Sequence, residues 1–153
     1  MLKTGDKAPS FSAKDQSGNT VRLSNYKGKK VALYFYPHDN TPTCTVQACN
    51  LRDNYQLLLA AGYHVIGVST DDEKSHQKFA EKYHLPFPLI ADTKQKIVRK
   101  YGVWGEKKFM GRIFDGTHRT TFLIDEKGII SNILRKPKSR DHAAEIMATT
   151  PET

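Results

Sequence analysis

The sequence is poor in cysteine, with two in 153 residues. That is too few for a secreted disulfide scaffold or for a zinc site built from four thiolates. Six histidines are scattered without the short spacings of a metal-ligand set, so neither metal nor other cofactor is expected. No apolar run approaches the roughly 20 residues that a membrane-spanning helix requires. The opening stretch Met1-Leu2-Lys3-Thr4-Gly5-Asp6 lacks the apolar core and small-residue cleavage site of a secretory signal, and a cytoplasmic location is the expectation. Repeats, low-complexity tracts and dividing linkers are also missing. Residues 1–153 are therefore expected to form a single domain, large enough to bury a hydrophobic core.

Positive charge is in excess. Lys and Arg number 24 against 16 Asp and Glu, a formal charge of +8. The cations are spread over nearly the whole length, and the densest stretch, Arg135-Lys136-Pro137-Lys138-Ser139-Arg140, is short. No RNA-binding signature accompanies them, so most of this charge reads as a solvated face, compatible with an acidic protein partner. A basic nucleic-acid-binding module is the non-enzymatic alternative.

Strand and helix signals alternate along the chain. Phe11–Ala13 and Val21–Leu23 flank a Ser-Gly-Asn turn and predict an N-terminal hairpin. Lys30–Tyr36, nearly all apolar, suits a strand buried on both faces. A polar loop then leads to a helix expected from Pro42 to about Ala61, stopped by Gly62. His64–Ser69 is a second buried strand. The acidic run Asp71-Asp72-Glu73 opens a helix carrying Phe79 and Tyr83, which must end before Pro86. Phe87–Ala91 reads as a short strand, and Asp92 as the cap of a helix bearing Ile97, Val98 and Tyr101, closed by Gly102. Trp104–His118, irregular and with three glycines, reads as a long loop. A hairpin over Thr120–Asp125 and Ile129–Leu134 follows, then a helix capped by Ser139 and running through Met147, and last residues expected to fray. The order implies an α/β fold with a central mixed sheet flanked by helices. A cysteine at the N-terminus of the helix in a strand–loop–helix unit points to the thioredoxin-like class.

That unit carries the chemistry. With Thr41 as N-cap, Pro42 falls at the first helical position, where its missing N–H costs nothing. Cys44 then lies in the first turn, where unpaired backbone N–H groups and the helix dipole favour an anion. A thiol exposed at such a place is a reactive one. Cys49 is five residues on, about 140° around an ideal helix and roughly 7.5 Å along it. A disulfide requires Cα atoms within about 7 Å and converging Cβ vectors. Either the two thiols never pair, or the first turns unwind when they do.

Pro37, Thr41 and Cys44 fill the pattern Pro-x-x-x-Thr/Ser-x-x-Cys, which resembles the peroxiredoxin active-site motif. Cys49, followed by Asn50-Leu51-Arg52-Asp53, is similar to the peroxiredoxin Q or bacterioferritin comigratory protein subfamily. The resemblance extends through Gly5–Pro9, Tyr34–Pro37, Gly67–Ser69, Tyr101–Gly105 and Arg119–Asp125. It implies a thiol-dependent peroxidase in which Cys44 attacks the hydroperoxide and Cys49 resolves the product through an intramolecular disulfide. Thr41 would hold the peroxide, Pro37 would shield the thiolate, and Arg119 would stand beside the sulfur. Thioredoxin or a similar dithiol would be the reductant. An intrachain resolving cysteine needs no partner subunit, so a monomer is expected.

Two positions depart from the family pattern: Thr43 stands where Gly is usual, and Gln47 where Glu often orients the arginine. Simpler roles exist for several of these residues. Arg119 could pair with Asp115 or Asp125, Thr41 could be only a cap, Gln47 only a polar helix residue, and Cys44 a buried core thiol. His38 could act as a base or ligand, and Trp104 could line the site or pack in the core. The enzymatic alternative is a general thiol–disulfide oxidoreductase, a class that commonly uses a Cys-x-x-Cys spacing not found here.

Overall fold

The computed structural model describes residues 1–149. The expected fraying concerns the last residues, of which 150–153 lie outside the described residues. β1 (Ser12–Lys14) and β2 (Thr20–Arg22) form the N-terminal antiparallel hairpin, with Ala13 opposite Val21. After a 3-10 turn come β3 (Lys30–Phe35), α1 (Pro42–Asp53), α2 (Tyr55–Ala60), β4 (Tyr63–Ser69) and α3 (Glu73–Tyr83). β5 (Leu89–Ala91), α4 (Lys96–Lys100), β6 (Trp104–Phe109), β7 (Arg112–Thr117), β8 (Thr120–Ile124), β9 (Ile130–Leu134) and α5 (His142–Ala148) complete the order.

Five strands form a mixed sheet in the order β5-β4-β3-β8-β9. β3, β4 and β5 are parallel, and β8 is antiparallel to both β3 and β9. β3 lies at the centre, and every residue from Val31 to Tyr36 is at most 1% exposed. Its side chains alternate between two cores. Val31, Leu33 and Phe35 join Val21, Ile97, Val98 and Phe122, under the β1–β2 hairpin and α4. Ala32, Tyr34 and Tyr36 join Ala48, Leu51, Leu58, Phe79 and Ile146, under the remaining helices. Full burial of one such large apolar side chain contributes roughly 1.5–3 kcal/mol, so an unbroken apolar run belongs at a position covered on both faces.

Several expectations require correction. The helix expected over Pro42–Ala61 is two helices, broken at Asn54 (φ −109°, ψ 13°). The Asn54 side-chain amide donates to the Asn50 carbonyl at 2.9 Å, an alternative to the regular backbone ladder. Gly62 does end the second helix, with φ +91°. The long loop expected over Trp104–His118 is instead the antiparallel β6–β7 hairpin. Its two-residue turn places both Met110 (φ 50°) and Gly111 (φ 78°) in the left-handed region, the geometry that matches strand twist. Most of this hairpin is exposed on both faces, so no apolar alternation marks it. The last helix begins at His142 with Asp141 as N-cap, not at Ser139. Glu145 reaches back instead, accepting from the Lys138 backbone N–H at 2.7 Å. β5 starts at Leu89 rather than Phe87, because Pro88 has no N–H to contribute and the Gln16 amide takes both the Phe87 carbonyl and the Leu89 N–H. The N-cap residue of α4 is Gln95 rather than Asp92, but the Asp92 carboxylate still caps the helix, accepting from the N–H groups of Lys96, Ile97 and Val98.

Candidate active site

The site forms where β3 runs into α1. Thr41 is the N-cap of α1 with an extended backbone, Pro42 follows, and the Thr45 N–H closes the first turn on the Thr41 carbonyl at 2.8 Å. The Thr41 side chain does not cap the helix; its hydroxyl donates to the His38 carbonyl at 3.1 Å. The first-turn N–H groups are therefore not taken up by that hydroxyl.

Cys44 is 1% exposed, contrary to the open position expected. The reason is helical periodicity: Cys44, Gln47, Ala48 and Leu51 form the stripe of α1 that faces the sheet. A buried core thiol would meet only apolar neighbours. This one accepts a hydrogen bond from Arg119 Nη2 at 3.3 Å. Arg119 stands immediately before β8, and its Nη1 donates to Gln47 Oε1 at 2.6 Å. The fork of one guanidinium thus spans sulfur and amide, and its charge offsets the cost of an anion on a sulfur withdrawn from water. Among the described residues Arg119 makes no ion pair with Asp115 or Asp125; Asp125 Oδ1 instead accepts the Lys127 and Ile129 N–H groups.

Among the described residues three buried side-chain polar atoms are left without a hydrogen bond: Tyr34 OH, Gln47 Nε2 and Thr117 Oγ1. Burial, followed by the charges of Cys44 and Asp39, raises the Tyr34 phenol well above its ordinary pKa, so it stays a protonated donor. Lys107 of β6 donates to the Thr117 carbonyl at 3.0 Å. Burial and then repulsion from Arg119 hold its pKa below the usual lysine value, and Cys44 acts in the opposite direction. The site therefore lies in a field set by two cations.

Cys49 is half-buried on the same unbroken helix, and both thiols are free. Pro37 and Thr41, half-buried, stand at the two ends of the loop before α1. His38 is exposed, with Nδ1 3.4 Å from Asp71 Oδ1. Trp104 packs against the other core, on the sheet face opposite Cys44, with Arg99 over its ring at 5.8 Å. Thr43 has no positive φ, so the wound helix does not require glycine there.

Sequence reasoning missed Lys107, Tyr34 and a buried polar cluster beside the loop. Lys107 lies in the segment expected to be irregular, and Tyr34 reads as core. The cluster joins Asp39, Asp71 and His76, whose ligand-type atoms lie within 4.8 Å of one another. Asp39 and His76 are 37 positions apart, so no local spacing announces them.

Comparison with known proteins gives a consistent picture. Residues 4–133 match the AhpC/TSA family. The chain is 48% identical over 141 residues to peroxiredoxin Bcp of Escherichia coli (strain K12), covering 92% of this chain and 90% of that one. Its fold is similar to a crystal structure of a cysteine-to-serine variant of Xylella fastidiosa PrxQ, with a TM-score of 0.90 at 29% identity over 97% of this chain and 94% of that one. The bacterioferritin comigratory protein of Xanthomonas campestris, described for alkyl peroxide reduction, superposes with a TM-score of 0.84 at 31% identity, over 90% of this chain and 88% of that one.

Proposed function

The chain belongs to the AhpC/TSA family and is a thiol-dependent peroxidase with the thioredoxin-like fold of the peroxiredoxins, and on that premise we propose that Cys44 is its peroxidatic thiol and Cys49 its resolving thiol. The observation that carries the reading is the Arg119 guanidinium held between Cys44 Sγ and Gln47 Oε1.

The substrate is a hydroperoxide, ROOH. The Cys44 thiolate attacks the terminal oxygen; the S–O bond forms as the O–O bond breaks, and the leaving alkoxide takes a proton to become water or an alcohol. Arg119 stabilises both the thiolate and the negative charge that develops on the leaving oxygen. Thr41, its proton committed to the His38 carbonyl, offers the peroxide O–H an acceptor. Pro37 walls the loop side and limits access of water. The alkyl peroxide activity described for the Xanthomonas campestris relative supports organic hydroperoxides as substrates alongside hydrogen peroxide.

The first turns of α1 then unwind. The Cys49 thiol condenses with the Cys44 sulfenic acid, releasing water and forming the disulfide. A dithiol, which we take to be thioredoxin or a protein like it, restores both thiols by exchange, in a reducing compartment such as the cytoplasm. Because both cysteines belong to one chain, the cycle closes within a monomer.

The test is peroxide consumption coupled to thioredoxin oxidation. Cys44→Ser is expected to abolish it, and full retention would overturn the assignment. After one equivalent of peroxide, mass analysis is expected to show a Cys44–Cys49 bond within one chain. A bond between chains, or sulfenic acid that persists in the native protein, would overturn the resolving role.

A further inference from the structure

The loop between β3 and α1 is tied down by the buried cluster beside it. The Asp39 side chain is 4% exposed and that of His76, on α3, is 0% exposed. Asp39 Oδ2 lies 2.6 Å from His76 Nδ1 and accepts from Ser75 Oγ at 2.8 Å; Oδ1 accepts from Tyr36 OH at 2.5 Å. The other ring nitrogen, His76 Nε2, lies 2.9 Å from the Ile90 carbonyl of β5. The Asp39 backbone N–H donates to Asp71 Oδ2 at 2.8 Å, and Asp71 also accepts from Ser69 Oγ at 2.7 Å.

The cluster holds one proton more than a neutral imidazole supplies. A carbonyl only accepts, so Nε2 carries a proton. Asp39 Oδ2, as a carboxylate, also only accepts, so the 2.6 Å contact needs a proton between it and Nδ1. A neutral imidazole has one proton, and this pair holds two: His76 is the cation and Asp39 the anion, or Asp39 carries the second proton itself. Burial pushes the His76 pKa down, but the hydrogen bond and charge of Asp39, the Ile90 carbonyl and Asp71 more than offset it, and the net direction is up. The charged and titratable groups around the pair are Tyr36 just after β3, His38 on the loop, Asp71 and Asp72 before α3, and Lys74, Lys78 and Lys82 along the groove that Asp39 helps to line.

What this pair holds is the backbone that leads into the peroxidatic helix. Asn40, next to Asp39, is a non-glycine residue at φ 60°, and its Oδ1 accepts from Tyr83 OH at 3.2 Å. Thr41 and Pro42 follow directly. A left-handed residue immediately after a pinned carboxylate marks a strained joint between the anchored loop and α1. We propose that His76, acting through Asp39 and the proton they share, is a positioning residue for the peroxidase reaction: it keeps loop 37–41 in the arrangement in which Thr41 and Cys44 meet the hydroperoxide, and its release favours the unwound helix. This inference rests on the assignment of Cys44 as peroxidatic thiol. Without the shared proton, the carboxylate and the Nδ1 lone pair face each other, and the loop loses its anchor.

The test uses His76→Gln and Asp39→Ala in the full chain. The second-order rate of Cys44 oxidation by hydrogen peroxide is expected to fall about tenfold in each, the scale at which loss of one charged hydrogen bond misplaces reacting groups. Under excess peroxide the fraction driven on to sulfinic acid is expected to fall as well, because an unwound helix presents Cys44 to Cys49 rather than to a second peroxide. The double variant should lose no more than His76→Gln alone. The native rate should decline on the alkaline side of its pH profile, and both single variants should lack that decline. A merely structural role would lower the melting temperature and leave the pH profile and sulfinic fraction unmoved; that result overturns the proposal while native peroxidase activity still supports the reading beneath it. Should His76→Gln fail to fold, Asp39→Ala, which keeps the His76 ring and removes the group it shares a proton with, decides by the same readouts.

Discussion

Replacing Thr43 with glycine isolates the proposed unwinding step from the chemistry. Thr43 is exposed in the first turn of α1 at an ordinary helical φ, so both residues fit the wound helix. The change acts mainly on the unwound segment, where glycine has more conformations to gain. Glycine in place of a side-chain-bearing residue shifts such an equilibrium by ~0.4–1 kcal/mol. With 1.36 kcal/mol per decade, that is about two- to fivefold toward the unwound form. Rapid-quench mass spectrometry after a peroxide pulse should therefore show the Cys44–Cys49 disulfide forming about two- to fivefold faster in Thr43→Gly. The initial rate of sulfenic acid formation should stay within about twofold of native, since a mostly wound population still meets the peroxide. An unchanged or slower disulfide step would refute the reasoning, because unwinding would then not limit resolution.

Arg119→Lys keeps the charge but cannot bridge Cys44 Sγ and Gln47 Oε1 together. The expected outcome is a fall of about 10²-fold or more in kcat/KM for hydrogen peroxide, the scale of losing a fixed donor to a developing anion; parity with native would remove Arg119 from the mechanism. His142 is buried between Thr121 Oγ1 at 2.8 Å and Glu145 Oε1 at 2.9 Å. Burial holds its pKa below the ordinary 6.5 against the opposing pull of Glu145, with Arg119 adding to the downward shift. The unfolded chain therefore takes up a proton there first, and stability is lost as pH falls below about 6.5. Urea melts should show the stability difference between native protein and His142→Gln narrowing from pH 7.5 to pH 5, and a widening gap would reverse the sign.

The parts of this fold legible in the sequence are those where one strong local signal decides. The apolar run of β3 and the Thr41-Pro42 start of α1 are of this kind, as is Gly62. The β6–β7 hairpin was hidden because a ribbon exposed on both faces has no hydrophobic period to read. The break at Asn54 comes from one side chain competing for the backbone. Within the site, the motif residues and Gln47 were legible, and Gln47 accepts from Arg119 as a glutamate would, without its charge. The burial of Cys44 follows only once α1 is laid on the sheet. The pairing of Asp39 with His76 depends on β4 and α3 bringing distant segments beside the loop, which no local pattern encodes.

The interruption at Asn54 also sets how far an opening can travel. Asn50 ties α1 to α5, its Nδ2 donating to the Arg140 carbonyl at 2.9 Å and its Oδ1 accepting from the Ala143 N–H at 2.8 Å. Beyond it, the Asn54 break separates α1 from α2, which has its own buried anchor in Leu58. On the proposed mechanism, turns 42–49 would thus open as a short unit between the loop anchor on one side and the Asn50 clamp on the other. The backbone amides of that unit are therefore expected to exchange with solvent through a smaller local opening than those of α2 and β3, which hydrogen exchange would measure. The unwinding proposed for Cys44–Cys49 pairing would thereby stay within α1, separate from the sheet that carries it.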